Sequence, residues 1–323
     1  MRNDTILVLA NPDEPHLAML GQRLGDAKII VGDSADVFEQ DAVCATVLFN
    51  WSGPLALFKK VFGMCPNLLW VHSRSVGLEK TLFTELVESA VPLTNGVGVF
   101  SASLGEFALA AILYFAKDFR RMIRNQMAGT WEAFDVLWAC GQTVGIIGYG
   151  DIGRAVAERA HALGMTVLAL RRHAPSSQTK DPLVAQTYTP ENRIEMISRC
   201  DYVVVATPLT AETRGMIGEA EFAEMKPTAV VINVGRGPVI NEAALISALS
   251  NGGIKGAALD VFDHEPLPVG HPFYKLENVL LSPHCADHTP DWLENAMKFF
   301  IEQYERFRNG EALFSVVDKK LGY

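Results

Sequence analysis

Thr143-Val144-Gly145-Ile146-Ile147-Gly148-Tyr149-Gly150-Asp151-Ile152-Gly153-Arg154 is the stretch whose reading decides the fold. Residues 144–147 form a short apolar run that reads as a buried strand. Gly148, Gly150 and Gly153 follow in the spacing G-x-G-x-x-G, and residues 155–163 read as a helix. Each glycine has a mechanical task. Gly148 makes the tight turn, Gly150 lets a pyrophosphate approach the backbone, and Gly153 lets helix pack close to strand. The helix start adds free N–H groups and a positive dipole end for the phosphates. The glycine pattern alone can mark a merely tight turn. With a strand before it and a helix after it, it reads as a dinucleotide-binding turn, with Tyr149, Asp151 and Ile152 as its remaining members.

The next strand, 165–170, ends in Arg171-Arg172-His173. NAD users place a carboxylate near this point, roughly 20 residues past the first glycine, to bind the ribose 2′-hydroxyl. No Asp or Glu stands here. Two adjacent guanidinium groups suit a 2′-phosphate, which they grip with paired charge-assisted bonds. The plainer reading is an exposed basic strand end. The cofactor is expected to be NADP(H), with NAD(H) as the alternative.

The chain has 323 residues, 49% hydrophobic and 20% charged, which suits two domains of ordinary size with a large buried core. A net charge of −9 argues against a nucleic-acid partner, which demands a basic footprint. The five cysteines (Cys44, Cys65, Cys140, Cys200, Cys285) are scattered and odd in number, as expected of reduced thiols rather than a disulfide frame. Residues 1–4 lead directly into a short strand, without a leader pattern. The longest apolar stretch, 107–116, is too short to cross a bilayer. No membrane partner is expected, and the setting is read as cytoplasmic.

On the N-terminal side, residues 5–10, 27–31, 46–49, 68–71 and 91–94 are short β-rich runs, separated by helical patterns such as 54–62 and 78–89. Strand alternating with helix predicts a parallel sheet covered on both faces. This first α/β domain has no glycine fingerprint, and ligands of such sheets gather at the carboxyl ends of strands. That draws attention to residues 50–53 and 72–77. A helix is predicted over about 102–127. The segment 129–139 holds Trp131, Phe134, Leu137 and Trp138 without a clear period, and reads either as a subunit contact or as a cap on the chain's own core.

Beyond the fingerprint, strands are predicted at 202–206, 229–233, 256–261 and 279–282, with a helix at 242–250 and a last amphipathic helix at 292–309. The expected class is therefore α/β, with two doubly wound parallel-sheet domains. Residues 1–103, completed by a C-terminal segment at 290–323, form a flavodoxin-like substrate domain. Residues 104–289 form a Rossmann NAD(P)-binding domain.

Arg236, Glu265 and His284 stand at carboxyl ends of second-domain strands or in the loops that follow, where they can converge on a nicotinamide. A guanidinium binds a carboxylate bidentately and polarises a neighbouring carbonyl. An imidazole moves a proton near neutral pH, and an adjacent carboxylate holds its tautomer. With a hydride donor, that set reduces a 2-keto acid to a 2-hydroxy acid. Each member has a plainer reading as well. Arg236 lies between glycines and is hard to assign to packing, whereas Glu265 can be a solvated loop charge and His284 a satisfied histidine. His264 and His288 are weaker candidates, and His271, before Pro272, reads as a turn residue. Nothing has metal-ligand spacing, since His284 and His288 lack the glutamate of H-E-x-x-H.

These segments resemble the D-isomer-specific 2-hydroxyacid dehydrogenases, nearest to the glyoxylate/hydroxypyruvate reductases. The likeness runs through 143–154, 207–218 (TPLTAETRGMIG), 232–240 (INVGRGPVI), 258–266 (ALDVFDHEP) and 271–286 (HPFYKLENVLLSPHCA). The first domain matches loosely, through 71–77 and 104–117. The resemblance implies that Arg236, Glu265 and His284 are the catalytic trio, with His284 as acid/base. It implies that the backbone at Val76 and Gly77 holds the substrate carboxylate, beside Arg236 and His284. Asp260 would meet the nicotinamide carboxamide. Thr207, Pro208 and Thr213 would flank the adenosine and pyrophosphate, with Val234, Gly235 and Ala286 on the nicotinamide side. It also implies a homodimer. Trp51 and Trp70 are bulky near the substrate loops and suggest a compact or aromatic-walled pocket. Two rivals stand beside this reading: a dinucleotide-sensing binding protein of the corepressor type, and a dehydrogenase of the same fold acting on another substrate.

Overall fold

The computed structural model describes residues 4–173 and 181–323; residues 1–3, read above as the direct lead into the first strand, lie outside the described residues. The chain divides into two compact units, Met1–Val99 with Pro290–Tyr323, and Phe100–Thr289.

The first unit contains β1 (Thr5–Leu9), α1 (Ala18–Arg23), β2 (Lys28–Gly32), β3 (Val47–Asn50), α2 (Leu55–Met64), β4 (Trp70–Ser73), α3 (Thr84–Glu88) and β5 (Leu93–Asn95). Its sheet runs β2-β1-β3-β4-β5, all parallel, which is the flavodoxin-like order. β1, β3, β4 and β5 are buried at every position, as a parallel sheet covered on both faces demands.

The second unit opens with α4 (Ser101–Ala116) and α5 (Phe119–Met127). There follow β6 (Thr143–Ile147), α6 (Asp151–Ala162), β7 (Thr166–Leu170), β8 (Gln186–Tyr188), α7 (Arg193–Arg199), β9 (Tyr202–Val205), α8 (Glu219–Glu224), β10 (Val230–Asn233), α9 (Glu242–Ser250), β11 (Gly256–Leu259) and β12 (Val279–Leu281). The seven strands run β12-β11-β10-β9-β6-β7-β8, so the sequence order reverses beside β6. That is the Rossmann order extended by one strand, with its switch point at the glycine turn. The expected pair of doubly wound sheets is what the chain builds. After β12 the chain returns to the first unit as α10 (Trp292–Asn309), ended by Gly310 at φ 70°. Phe300 of α10 stacks on Phe49 at 3.8 Å and on Trp70 at 5.4 Å. Truncating Phe300 to Ala removes both stacks, a core loss of about 3–5 kcal/mol.

Three expectations need correcting. The helix predicted over 102–127 is broken, because Asp118 adopts φ 52° and its carboxylate accepts the Arg121 N–H, capping α5 as a new helix. The helix predicted from 155 begins at Asp151, so Gly153 lies inside its first turn. Trp70 is fully buried between α10 rings and donates its indole N–H to Thr94, so its bulk belongs to the core and not to a pocket wall.

The segment 129–139 has no regular structure, and it leaves Trp131 and Trp138 exposed at 103% and 78%. These rings do not cap the core beneath them. Among the described residues no helix is long and apolar enough to cross a membrane.

Candidate functional site

The turn after β6 is built as its spacing demands, and the three glycines differ in what surrounds them. Gly148 sits at φ 91°, and a Cβ there would lie 2.7 Å from the Thr207 backbone. At Gly153 a Cβ would lie 2.3 Å from the Gly148 carbonyl oxygen. At Gly150, the residue before α6, a Cβ would meet nothing within 4 Å. Two glycines are thus required by the protein's own packing, and the middle one borders open space. That is the property a backbone needs to receive a pyrophosphate at the N-terminus of a twelve-residue helix.

Thr207 also lies against the next loop, since a Cβ at Gly235 would approach its carbonyl oxygen to 2.8 Å. The ends of β6, β9 and β10 therefore meet around one peptide. The Thr213 hydroxyl donates to the Pro208 carbonyl at 2.7 Å and accepts the Thr210 N–H, so it shapes the 207–213 loop from within. Pro208 is exposed, and Val234 is buried.

Beside the glycine turn, the Tyr149 hydroxyl donates to Asp181 at 3.0 Å, and the Arg171 guanidinium lies 4.6 Å over the Tyr149 ring. Burial and the Asp181 carboxylate push the Tyr149 phenol upward. Burial pulls Asp181 upward as well, but the Leu183 N–H, Tyr149, Arg154 and Arg171 outweigh it and hold this carboxyl below its usual range. Arg172 pairs with Glu212 at 2.5 Å, and His173 is exposed. A carboxylate that is absent locally in sequence is therefore supplied from elsewhere: Asp181 beside Arg171, and Glu212 on Arg172. No local sequence signal announces either.

At the other end of the sheet, Glu265 and His284 meet. His284 Nδ1 and Glu265 Oε2 are 2.7 Å apart, and Glu265 Oε1 accepts the Phe262 N–H at 2.9 Å. The carboxylate fixes the tautomer, leaving Nε2 as the nitrogen open to proton transfer, with no hydrogen-bond partner among the described residues. His284 adopts φ 53°, a left-handed conformation that costs a non-glycine residue about 1 kcal/mol or more and persists only when neighbours over-determine it. Asp260 is that neighbour. Asp260 is 1% exposed, and its Oδ1 accepts the Ser282 hydroxyl at 2.5 Å and the N–H groups of Cys285 and Ala286 at 3.0 and 3.1 Å. Asp260 thus grips the chain on both sides of His284. The Ala286 carbonyl in turn accepts from Ser103 at 2.6 Å.

Arg236 follows β10, where the buried Asn233 accepts the Gly235 N–H at 3.0 Å and donates to the Arg236 carbonyl at 3.1 Å. One guanidinium nitrogen donates to the Gly235 carbonyl at 2.7 Å. Gly237 lies directly on the Phe262–Asp263 backbone, where a Cβ would sit 2.0 Å from the Phe262 carbonyl carbon. The Arg236 loop is therefore packed against the loop that leads to Glu265. Sequence reasoning missed Asn233 and Ser282 as the holders of these loops. Their positions, one at a strand end and one just past it, are the signal that points to them.

In the first unit, Val76 and Gly77 lie in the loop after β4, where Asn95 donates to the Val76 carbonyl at 2.9 Å. Trp51 follows β3 and is 2% exposed, with its indole N–H donated to Glu14.

Residues 109–286 match the family profile described as D-isomer specific 2-hydroxyacid dehydrogenase, NAD binding domain. The chain is 34% identical to the glyoxylate reductase of Thermococcus gammatolerans over 271 residues, 81% of this chain and 80% of that one. It superposes over its whole length on a D-isomer specific 2-hydroxyacid dehydrogenase from Xanthobacter autotrophicus Py2, solved with NADPH and MES, with a TM-score of 0.85 at 29% identity. It likewise matches the full length of an NADPH-dependent glyoxylate/hydroxypyruvate reductase from Sinorhizobium meliloti, solved with NADP and sulfate, with a TM-score of 0.83 at 26% identity. With its two sheets, its glycine turn and its histidine–carboxylate pair, the chain belongs to the D-isomer specific 2-hydroxyacid dehydrogenase family of oxidoreductases.

Proposed function

We propose that this protein reduces a small 2-keto acid of the glyoxylate or hydroxypyruvate type, with NADPH preferred to NADH. The observation that carries the reading is the 2.7 Å contact between His284 Nδ1 and Glu265 in the unit that bears the dinucleotide turn.

The open backbone at Gly150 fits a dinucleotide. In this reading Gly148, Gly150, Gly153 and the adjoining Tyr149, Asp151 and Ile152 receive the pyrophosphate, flanked by Thr207, Pro208 and Thr213. Arg171, Arg172 and His173 face the 2′-phosphate, and Val234, Gly235, Asp260 and Ala286 line the nicotinamide half. The bound cofactor supplies the hydride that goes to the keto carbon. His284 gives a proton from Nε2 to the keto oxygen, Glu265 keeps Nδ1 protonated and the ring oriented, and Arg236 clamps the carboxylate and polarises the carbonyl. In this reading the backbone at Val76 and Gly77 also takes the carboxylate, with Trp51 beside that loop.

The exposed rings of 129–139 and the apolar side chains of α5, which buries none of its residues, support a homodimer formed through this surface. Sedimentation of the Trp131→Glu variant tests it, with a monomer expected.

A panel of 2-keto acids assayed by NADPH and NADH absorbance tests the proposed activity. Turnover of glyoxylate or hydroxypyruvate is expected. Tight dinucleotide binding without turnover of any acid would favour the binding-protein rival instead.

A further inference from the structure

The carboxyl ends of β3 and β4 hold polar groups that the reaction described above does not use. Arg74 is the first residue of the loop that continues to Val76 and Gly77. Its guanidinium carbon lies 4.7 Å over the Trp51 ring and 5.3 Å over the Trp292 ring, so two indoles fix the side chain. The group is half-buried, yet among the described residues no carboxylate lies within ion-pair distance and no side-chain hydrogen bond forms. Glu14 is the acidic group whose charge it feels, and that carboxylate is already engaged: one oxygen accepts the Trp51 indole N–H and the other accepts the Ser52 hydroxyl at 2.7 Å. Burial disfavours the charge on Arg74 and Glu14 only partly offsets this.

A stacked arginine held merely as filler is a poor choice at such a place. Its donors lie in one fixed plane and are costly to leave unmatched, whereas an aliphatic side chain packs between two indoles without that penalty. A second unmatched group stands one strand away. Asn50 ends β3 in register with Ser73, is 8% exposed, and its side-chain oxygen has no hydrogen-bond partner among the described residues. Adjacent strand ends of a doubly wound sheet are where ligands gather.

We propose that Arg74 is a specificity-determining residue that binds a second anionic group at the far end of the substrate, so that the preferred substrates are 2-keto acids carrying two carboxylates. This rests on the reading of the protein as a 2-keto acid reductase. The backbone at Val76 and Gly77 takes the carboxylate beside the keto group. The guanidinium two residues earlier takes the other, in the bidentate geometry that lysine cannot reproduce.

The test measures kcat/KM with NADPH for three acids: glyoxylate, oxaloacetate, and 2-keto-4-methylvalerate, which matches oxaloacetate in shape but is uncharged at its far end. The intact protein is expected to prefer oxaloacetate to its uncharged counterpart by about tenfold or more. In Arg74→Met the value for oxaloacetate should fall at least about tenfold further than that for glyoxylate, and Arg74→Lys should recover only part of it. Intact protein that turns over glyoxylate but does not favour oxaloacetate over the uncharged acid overturns the proposal and leaves the reductase reading standing; that arm does not depend on any variant folding. Equal losses for glyoxylate and oxaloacetate in Arg74→Met also overturn it. Absence of turnover with every acid overturns the proposal and the reductase reading together.

Discussion

The two units are wound by the same rule and end their first strands differently. After β6 the chain turns through Gly148 at φ 91°, leaves the backbone of Gly150 open, and enters a twelve-residue helix. After β1 the corresponding turn is Ala10-Asn11-Pro12-Asp13, without glycine. Ala10 is buried and the Asn11 side chain accepts the Asp13 N–H at 3.0 Å, so the turn closes on itself. A three-residue 3-10 turn then leads into the six-residue α1, half the length of α6. A parallel doubly wound sheet therefore fixes where a ligand lies, at the carboxyl ends of strands, but not which ligand it is. In the second unit the first turn takes up that role. In the first unit the open groups are displaced to the ends of β3 and β4, at Asn50 and Arg74.

The largest expected effect is on chemistry in the second unit. His284→Ala should lower kcat by about 10²–10⁴-fold, the usual worth of a positioned general acid, while NADPH binding followed by fluorescence stays close to normal. Near-normal turnover would remove His284 from proton transfer.

The glycines give the next test. Gly148→Ala combines an unfavourable φ with a backbone clash, so it should cost about 3 kcal/mol of stability in denaturant titration. Gly150→Ala should cost no more than about 1 kcal/mol, yet weaken dinucleotide binding about tenfold. If the two variants lose stability equally, the distinction between a packing glycine and a ligand-facing one is wrong.

A pH effect is expected from the first unit. His72 is buried, with Nδ1 2.7 Å from the Thr94 hydroxyl, and burial lowers its pKa from 6.5 to about 3. Below pH 6.5 the unfolded chain binds a proton that the folded chain refuses. The stability contributed by the neutral ring is therefore present above pH 6.5 and is lost as the pH falls toward 3. Between pH 6.5 and 5 the loss should reach about 2 kcal/mol, at about 1.4 kcal/mol per pH unit. His72→Asn should flatten that slope in thermal melts at matched pH. An unchanged slope would assign the acid sensitivity elsewhere.

The smallest effect expected concerns cofactor choice. Changing Arg171 and Arg172 together to Ala should weaken NADPH by about tenfold more than NADH, a loss of the 2′-phosphate contacts alone. Arg172 already pairs with Glu212 and Arg171 stacks on Tyr149, so equal weakening would mean that these groups only shape the turn.

Much of this is legible in the sequence. The period of apolar runs and the glycine spacing specify both sheets and the dinucleotide turn, because parallel strands and tight βα turns follow from local residue type. The break at Asp118 was hidden, since a single left-handed residue interrupts an otherwise continuous helical pattern.

The amino-acid sequence by itself determined which residue types stand at the strand ends: the three glycines, Arg236, Glu265, His284, Trp51 and the arginine pair. Only the tertiary structure decided how they are engaged. It brought Glu265 onto His284 across 19 positions of sequence, put Asp260 under the strained histidine, placed Glu212 on Arg172 and left Arg74 between two indoles with no ion-paired carboxylate among the described residues. The reason is physical. Strand periodicity and turn geometry are local and can be read along a chain, whereas pairing between side chains depends on which loops the sheet order brings side by side.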